Sequence, residues 1–539
     1  MTSTPSNTGS LAYQLNTFLT GRRVLVVIII LWLIFNLPSL LTYPGITSDE
    51  AQFSAVGWNF FQHGSFRSPI IGPLGNEEHT GIYYGRLYAL LLGLDLKIFG
   101  IGIVQARLSS MLGGLVAGIL LWCVAGELKL SQTARLGSIL LFLFSWKVFL
   151  ASHRARPDIW MAVCALTMFF LYLRARQAPT IKSYLILGVV TAYLIDVHFP
   201  VSIASGAISL MVLGDFLQRR LSWKVLATFG TGAMVGIAAW LALWLLPDPA
   251  AAFLSWRHSG SLDPAATTAS GMLLPNLASQ FLQWLSLVYV QETRLGPFEG
   301  LIIAAAIVAL ILKRAPSDRV LLAWLGSLLF VLFIAPFKQT YHVTMIVPLT
   351  SLIIARGGEV VGSYIGKLSG GRWAVGAVKV LALCPLLLAY VAADVSLAWR
   401  SRELSYQAYA TALRALIPPG KNVMGEAVWW FEFHDGIFTS DLYPSNWYGR
   451  RQRAPGPDVW MAEALANRQV EVVLLDGRFG SHWQEYLSPE QKLLYDAYKK
   501  KVESACNYVG DVELPYYGLE QDGPGLKQTT VWQCPSWQN

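Results

Sequence analysis

The sequence predicts an all-α polytopic membrane protein with a small α/β domain at its C-terminal end, and three observations support this fold class. Of the 539 residues, 54% are hydrophobic and only 14% are charged, whereas soluble domains carry about 25% charged residues. The apolar residues are gathered into long runs, and a helix needs about 20 of them to cross a bilayer. From about residue 395 onward these runs cease, which indicates a soluble domain.

Eleven apolar segments are candidate transmembrane helices. They are residues 24–42, 108–128, 134–151, 159–173, 183–197, 199–217, 225–246, 298–312, 320–336, 343–355 and 374–393. No cleavage-site pattern of a signal peptide precedes the first segment, so we expect it to be a true span. The sequence thus predicts about 11 transmembrane helices in a domain over residues 1–394, followed by a soluble domain over residues 395–539.

Positively charged residues in the loops predict how the chain is oriented. Sixteen Lys and Arg residues lie in one alternating set of loops, with at least two in each loop. They are Arg22, Arg23, Lys129, Arg135, Arg174, Arg176, Lys182, Arg219, Arg220, Lys224, Lys313, Arg314, Arg319, Arg356, Lys367 and Arg372. By the positive-inside rule the N-terminus is cytoplasmic and the C-terminal domain lies outside the cell (inner) membrane. Because topology explains the net charge of +8, we expect no nucleic-acid partner.

Two of the predicted outer loops are too long to be simple connectors. The first, residues 43–107, contains two stretches with helical spacing of apolar side chains, 49–63 and 83–99. Charged residues within the second stretch argue against a further span, so we expect interfacial helices that lie along the outer membrane surface. The second long loop, residues 247–296, has another candidate of this kind near 276–290.

The C-terminal domain reads as a small α/β unit outside the membrane. The segments NVMGEA, IFTSDLY and VEVVLLD resemble short strands, and helical stretches are expected near 405–416, 458–468 and 489–503. Cys506 and Cys534 both lie in this domain, where disulfides persist. A disulfide between them is predicted, and two unpaired thiols are the alternative.

Three acidic residues stand out by their position. Asp49 and Glu50 follow the first span in SDEAQF, and Asp158 opens the fourth in HRARPDIWM. Each has a simple structural explanation, because Ser, Asp and Glu are common in the first turn of a helix, as is an acid after proline. However, the loop charges place all three on the outer side of one helix bundle, and charge beside apolar surroundings tends to be functional. We therefore predict them as catalytic candidates.

Candidate cations lie on the same side. Arg154 and Arg156 directly precede the second acidic site, and Lys338 and His342 lie in PFKQTYH between the ninth and tenth spans. The alternative for each is a side chain that extends to the lipid headgroups. We predict these four as substrate-binding residues. His198, in the short segment DVHFP, is interpreted as an ordinary turn histidine.

The order and sidedness of several motifs resemble a known class. An Asp-Glu pair follows the first span, an interfacial helix ends in KIFG, Arg-Leu begins the next span in QARLSS, and Arg-Pro-Asp follows the third. The pattern resembles the GT-C fold glycosyltransferases, most closely the protein O-mannosyltransferases and lipid A aminoarabinose transferases (glycosyltransferase family 39 and relatives). The resemblance covers about residues 40–175 well, PFKQTYHVTMIVPL moderately and the C-terminal domain poorly. The family often has Pro-Pro-Leu before the interfacial helix, whereas this chain has HTGIYYGRLY, which leaves the acceptor open.

The resemblance implies a chemical role for each candidate residue. A sugar on a polyprenyl phosphate would be transferred to a hydroxyl of a glycan, lipid or protein, with inversion. Asp49 would be the general base, and Arg156 and Lys338 would hold the phosphate charge. Asp158 would orient a substrate or share a divalent cation with Asp49. The residues leave the metal requirement undecided.

A transporter and a non-catalytic scaffold are the two alternatives to a glycosyltransferase. A transporter or flippase of lipid-linked sugars would need polar or broken helices at mid-membrane, often in repeated halves, and no repeat is evident here. A non-catalytic scaffold would leave the placement of the acids as coincidence. The sequence therefore predicts a membrane glycosyltransferase, with the flippase as the alternative.

Overall fold

The computed structural model of the chain describes residues 23–70, 85–246, 249, 274–291, 295–335, 338–369, 372–401, 406–441, 465–476, 489–517 and 524–535. Helices dominate it. In the order of the chain they are α1 (Arg23–Ser39), α2 (Ser48–His63), α3 (Arg86–Phe99), α4 (Ile103–Glu127), α5 (Gln132–Leu143), α6 (Trp146–Ser152), α7 (Asp158–Gln177), α8 (Ile181–Tyr193), α9 (Val201–Leu217), α10 (Trp223–Trp240), α11 (Leu274–Ser286), α12 (Gly296–Lys313), α13 (Pro316–Ile334), α14 (Val347–Ser369), α15 (Arg372–Ser401), α16 (Tyr406–Leu416), α17 (Trp430–Phe433) and α18 (Pro489–Ala505).

Apolar helices overlap all eleven predicted spans. By length and composition, five described helices can each cross a membrane: α4, α7, α10 with its π-helical extension to Leu245, α12 and α13. Helices α5 and α6 meet at an angle of 57° and count as one further span if they cross the membrane together. Helices α1 and α9 and part of α15 are apolar but shorter. The apolar helices support a membrane protein, while the count of eleven and the orientation remain predictions.

The segment predicted as the first outer loop forms the two helices that the spacing predicts. Helix α2 begins after Thr47, whose backbone N–H donates to the Glu50 carboxylate at 3.1 Å, and it ends at Gly64, a left-handed residue with φ of 68°. Helix α3 covers the second stretch, apart from residues 83 and 84, which lie outside the described residues. The helix predicted near 276–290 is α11, which continues as a π-helix to Gln291.

Helices α2 and α3 pack closely, backbone against backbone. A Cβ atom on Gly57 would lie 2.5 Å from the carbonyl oxygen of Ala89. A Cβ atom on Gly93 would collide with the Gly57 carbonyl. The absence of side chains at these two positions therefore lets the helix that begins at Ser48 approach its neighbour, and it fixes α2 against the rest of the fold.

The C-terminal domain contains a five-stranded sheet of order β2-β1-β3-β5-β4. Its strands are β1 (Val423–Gly425), β2 (Phe438–Ser440), β3 (Val472–Asp476), β4 (Asn507–Tyr517) and β5 (Pro524–Gln533). Strand β1 is parallel to β2 and β3, whereas β5 is antiparallel to β3 and β4. The three predicted strands are thus present, as are the helices predicted at 405–416 and 489–503. Most of the predicted helix 458–468 lies outside the described residues.

The antiparallel pair β4 and β5 is a feature that the sequence interpretation missed. Strand β4 contains Gly510 and Pro515 and has an irregular register near Gly510, and both residue types weaken a strand pattern. A disulfide joins Cys506, before β4, to Cys534, after β5, which confirms the predicted pairing.

The C-terminal domain contacts the first outer loop. The backbone N–H of Ser440 donates to the carbonyl oxygen of Ile70 at 2.7 Å, and a 3₁₀ turn at Ala427–Trp429, with α17, packs against α2. Helix α15 runs to Ser401, across the predicted boundary at residue 394, so the division into domains remains a prediction.

Candidate active site

The centre of the candidate site is an arginine that lies between two aspartates. Asp49 is in the first turn of α2, and Asp158 is the first residue of α7. The Arg156 Nη1 atom lies 2.8 Å from Asp49 Oδ2, and its Nε atom lies 3.2 Å from Asp158 Oδ2. Three of the predicted site residues therefore meet where two helices begin, although they lie about a hundred positions apart in the sequence.

The two aspartates differ in their access to solvent. The Asp49 side chain is 37% exposed, whereas that of Asp158 is 5% exposed. The Asp158 Oδ1 atom is buried, and no hydrogen-bond partner for it is found among the described residues. Asp49 is thus the more accessible of the two acids, and the buried Asp158 contacts the same arginine through a different nitrogen.

Glu50 has a different environment from its neighbour in the sequence. It is buried, and its carboxylate accepts hydrogen bonds from Arg107 Nε at 2.9 Å and Nη2 at 3.0 Å. It also accepts from the backbone N–H groups of Ala155, at 2.8 Å, and Thr47. Burial would raise the pKa of Glu50, but the Arg107 charge and these hydrogen bonds lower it overall. The carboxylate is saturated with donors, which favours a structural role over the predicted catalytic one.

Arg107, which the sequence indicates only as a weaker candidate cation, has a structural role. It is fully buried in α4 and also donates to the carbonyl oxygens of Leu40, at 2.7 Å, and Pro44, at 2.9 Å. It therefore connects the end of α1, the start of α2 and the segment that leads to α7. An arginine in the second turn of an apolar helix indicates a buried ion pair, because a buried cation needs an acidic partner.

The PFKQTYH segment reaches the site through the aromatic ring of Tyr341, which His342 contacts. The Arg156 guanidinium carbon lies 5.2 Å from the centre of the Tyr341 ring. The rings of His198 and His342 lie 5.9 Å and 4.9 Å from the same ring. Tyr341 is thus a common contact for residues from three segments. His198, interpreted as a turn histidine, is part of this group.

The two predicted cations of PFKQTYH, His342 and Lys338, are buried and partly buried. His342 is buried, and its Nδ1 atom accepts from the Gln339 N–H at 3.3 Å. Burial and the nearby Lys338 charge lower the pKa of His342 to about 4, so the imidazole is neutral at physiological pH. Lys338 Nζ donates to the Ala335 carbonyl oxygen at 2.6 Å, and burial lowers its pKa. Arg154 lies within electrostatic range of Asp158.

Tyr88 is another buried residue near the acids that the sequence did not indicate. Its ring packs edge-on against Phe53 of α2, with 5.5 Å between the ring centres. Its hydroxyl lies beside Ser110 and within electrostatic range of Asp158 and Arg156. A tyrosine on an interfacial helix is usually read as a membrane anchor, which is why its burial was not predicted.

The arrangement around the two aspartates does not fit a divalent cation held by both of them. The Arg156 guanidinium lies between the carboxylates that would share the ion. Over the part of the chain that the structure describes, no group of three or more His, Cys, Asp or Glu side chains is placed to hold a metal.

Comparison with known proteins gives one family match and several matches in fold. Residues 86–244 match the family model of the dolichyl-phosphate-mannose-protein mannosyltransferases. This segment includes Arg156 and Asp158 but begins after Asp49. No curated protein matches the chain in sequence.

The structural matches extend over nearly the whole chain. ArnT from Cupriavidus metallidurans in the apo state has a TM-score of 0.58 and 13% identity, and the alignment covers 96% of this chain and 98% of ArnT. With undecaprenyl phosphate bound, the TM-score is 0.57 at 14% identity and the same coverage. The oligosaccharyltransferase of Archaeoglobus fulgidus has a TM-score of 0.50 and 13% identity, covering 94% of this chain and 74% of that enzyme. Identities this low show a shared fold, and the family match adds the enzyme class. The chain is a membrane glycosyltransferase with the GT-C fold.

Proposed function

We propose that the protein transfers a sugar from a polyprenyl-phosphate donor to an acceptor hydroxyl at the outer face of the membrane, inverting the anomeric configuration. The observation that carries this proposal is the pairing of a half-exposed Asp49 with Arg156 where two helices begin. An enzyme of this kind needs a base for the acceptor and a cation for the leaving phosphate, and the site places one of each side by side.

The donor class is supported by the relatives. The matched family is named for dolichyl-phosphate-mannose, and one of the ArnT structures contains undecaprenyl phosphate. Both lipids are polyprenyl phosphates. The oligosaccharyltransferase of Archaeoglobus fulgidus holds an acceptor peptide, so related folds accept large molecules. For this chain the acceptor is a glycan, a lipid or a protein.

The proposed reaction is a single displacement. The acceptor oxygen forms a bond to the anomeric carbon while the bond from that carbon to the phosphate oxygen breaks. Asp49 takes the proton of the acceptor hydroxyl. The leaving group is polyprenyl phosphate, a stable anion, so it needs a cation and no general acid. Arg156 supplies that charge from a partly enclosed site, where electrostatic stabilisation is stronger than in water.

The Asp49–Arg156 ion pair adds a requirement to this reaction. The Asp49 oxygen that contacts Arg156 is occupied by the guanidinium at 2.8 Å, so it is not free to accept the acceptor proton. The donor phosphate competes for the same guanidinium, so donor binding draws Arg156 from Asp49 and releases the base. Asp158, which contacts the other side of Arg156, keeps the arginine in the site during this exchange. Lys338 and Arg154 add to the positive field at the phosphate, and the neutral His342 imidazole lines the same site through its contact with the Tyr341 ring.

The topology belongs to the same proposal. The N-terminus is cytoplasmic, the span count is about eleven, and the protein lies in the inner membrane with its C-terminal domain outside. The contact of that domain with α2 supports a role in covering the site or holding the acceptor, because α2 carries Asp49.

A transfer assay tests the proposed function. Purified protein in detergent is incubated with radiolabelled polyprenyl-phosphate sugars and with membrane, glycan and protein fractions as acceptors. We expect one labelled product that forms together with free polyprenyl phosphate. In liposomes, movement of the intact donor between leaflets with no new product would instead support the flippase, an alternative that neither the family match nor the fold favours.

A further inference from the structure

His198 lies in a segment that the fold holds firmly in place. The segment between α8 and α9 contains Asp196, whose Oδ1 atom accepts from Trp240 Nε1 at 2.9 Å. The Asp196 Oδ2 atom accepts from the Leu87 N–H at 3.1 Å, at the start of α3. A Cβ atom on Gly85 would collide with the Asp196 carbonyl, so the approach is close. An ordinary surface turn would not be tied to two distant helices in this way.

The His198 side chain is directed toward the candidate site. It is 3% exposed, although a histidine in a short outer turn is expected to face water. Its ring lies 5.9 Å from the Tyr341 ring, which the Arg156 guanidinium also contacts at 5.2 Å. Arg156 and His342 both act electrostatically on His198. The imidazole therefore joins the same cluster as the predicted phosphate-binding residues.

The charges around His198 favour an anionic ligand at this cluster. Arg156 carries a positive charge, and Lys338 lies within range of His342. The two acids nearest to Arg156 are Asp49 and Asp158, and both of them bind the guanidinium. Burial and the Arg156 charge lower the pKa of His198, so the imidazole is neutral and carries one N–H donor. A neutral donor beside a guanidinium suits a phosphate.

We propose that His198 is a further donor-binding residue, whose imidazole donates a hydrogen bond to the phosphate of the lipid-linked sugar beside Arg156. The inference rests on the proposed function. It adds a residue from the segment after α8 to a phosphate site otherwise formed by the segments before α7 and α14. Three separate segments would then hold one phosphate.

Substitution by phenylalanine separates hydrogen bonding from packing. The variant His198→Phe keeps an aromatic ring against Tyr341 and removes the N–H donor. We expect the Kd for undecaprenyl phosphate and the KM for the donor to rise roughly 10- to 100-fold, as for the loss of one hydrogen bond to a charged group, while kcat changes little. His198→Asn, which keeps an N–H donor, should recover part of the affinity. His63→Phe, at the exposed end of α2, is the matched control.

Binding of undecaprenyl phosphate and of inorganic phosphate to the full-length protein is measured for each variant, together with the Tm. Equal weakening of both ligands in His198→Phe, at an unchanged Tm, supports a phosphate contact. Weakening of the lipid alone would place His198 against the prenyl chain and overturn the proposal, as would unchanged binding of both ligands by the two His198 variants. If the wild-type protein bound neither ligand, the proposed function would fail with it. If the wild-type protein transferred sugar and both His198 variants bound the ligands as tightly as the wild type, only the role of His198 would be overturned.

Discussion

At the scale of single residues, the proposed reaction gives Arg156 two tasks that conflict until the donor binds. It neutralises Asp49 at 2.8 Å in this structure, yet the proposed reaction needs Asp49 free and Arg156 on the phosphate. The buried Asp158 resolves part of the conflict, because it holds Arg156 by a different nitrogen. The guanidinium, with several donors in one plane, can keep one partner while it exchanges the other.

Replacement of Arg156 by alanine should slow transfer by roughly 30- to 1,000-fold, which corresponds to the loss of about 2–4 kcal/mol of charge stabilisation in the transition state. Arg156→Lys should recover only part of the rate, because an ammonium group cannot hold a carboxylate and a phosphate in one plane. Steady-state kinetics with saturating donor measure both effects. Arg174→Ala, an exposed arginine at the opposite end of α7, is the control, and a fully active Arg156→Ala would remove the residue from the site.

The buried Glu50–Arg107 ion pair lies beside the candidate site and has a structural role. Both side chains are almost completely buried, and removal of one partner leaves an unpaired buried charge, which costs about 3–5 kcal/mol. We therefore expect Glu50→Ala to lower the Tm strongly, and the double variant Glu50→Ala, Arg107→Leu to lower it less. Thermal unfolding in detergent tests this expectation. A stable but inactive Glu50→Gln would instead restore Glu50 as a catalytic residue.

The sequence predicts Asp49, Asp158 and Arg156 as site residues, but it does not predict that Arg156 contacts both aspartates. The positions of Asp49, Asp158 and Arg156 followed from helix starts and from the sidedness of the loops. Which acid is open and which is buried depends on how α2 and α7 pack, and no local pattern encodes that. His198 and Tyr88 were missed for the same reason, because their burial is produced by segments far away in the sequence.

At the scale of secondary structure elements, the position of Asp49 depends on the packing of α2 against α3. Glycines at the contact allow the two backbones to touch, and the C-terminal domain contacts α2 from another side. A general base misplaced by about 1 Å can lose about a hundredfold in rate. If Asp49 is the base, the contact between α2 and α3 affects the rate, although it includes no candidate catalytic side chain.

Introduction of a methyl group at this contact should lower both stability and activity. In Gly57→Ala the new Cβ atom would meet the Ala89 carbonyl at 2.5 Å, and forced overpacking of this kind costs about 1–3 kcal/mol. The matched control is Gly300→Ala in α12, where an added Cβ has no neighbour within 4 Å. The Tm and the transfer rate of both variants are measured. Unchanged values for Gly57→Ala would show that the two helices adjust easily.

The break between α5 and α6 and the strands β4 and β5 were not predicted, and local features of the sequence explain both differences. Residues 134–151 were expected to form one span, but the helix breaks between α5 and α6 at 57°. After the break, Lys147 makes a buried ion pair with Glu299 at 2.8 Å and lies over the Tyr289 ring. A lysine inside an apolar run was a signal for an internal partner. The strands β4 and β5 escaped notice because polar residues, glycine and proline interrupt their pattern.

At the scale of the whole molecule, the orientation in the membrane determines whether the site faces the donor. Several loop cations on which the prediction depends also form ion pairs with buried acids. Arg176 and Arg220 pair with Asp215, and Arg356 pairs with Asp318. These contacts give part of the positive charge a second, structural explanation, so the topology needs its own test.

Cysteine labelling in intact cells tests the topology directly. We expect an impermeant thiol reagent to modify Gln62→Cys, at the exposed end of α2, and Gln407→Cys, at the start of the C-terminal domain. Ala178→Cys, in the connection after α7, should react only after permeabilisation, because the rule for positive charge places it inside. The unsubstituted protein gives the background. Equal labelling of all three sites would remove the basis for an outer active site.

Asp49 is the proposed base of the sugar transfer. The most direct measurement is the transfer rate of purified Asp49→Asn, with Asp511→Asn, an exposed aspartate of the C-terminal sheet, as the matched control. The amide keeps the size of the side chain and serves in a helix first turn, but it cannot take a proton. We predict that Asp49→Asn folds, binds undecaprenyl phosphate and transfers sugar 10²- to 10⁴-fold more slowly than the wild type, while the control is unaffected. Near-normal transfer by Asp49→Asn would contradict the account and show that this residue only begins a helix.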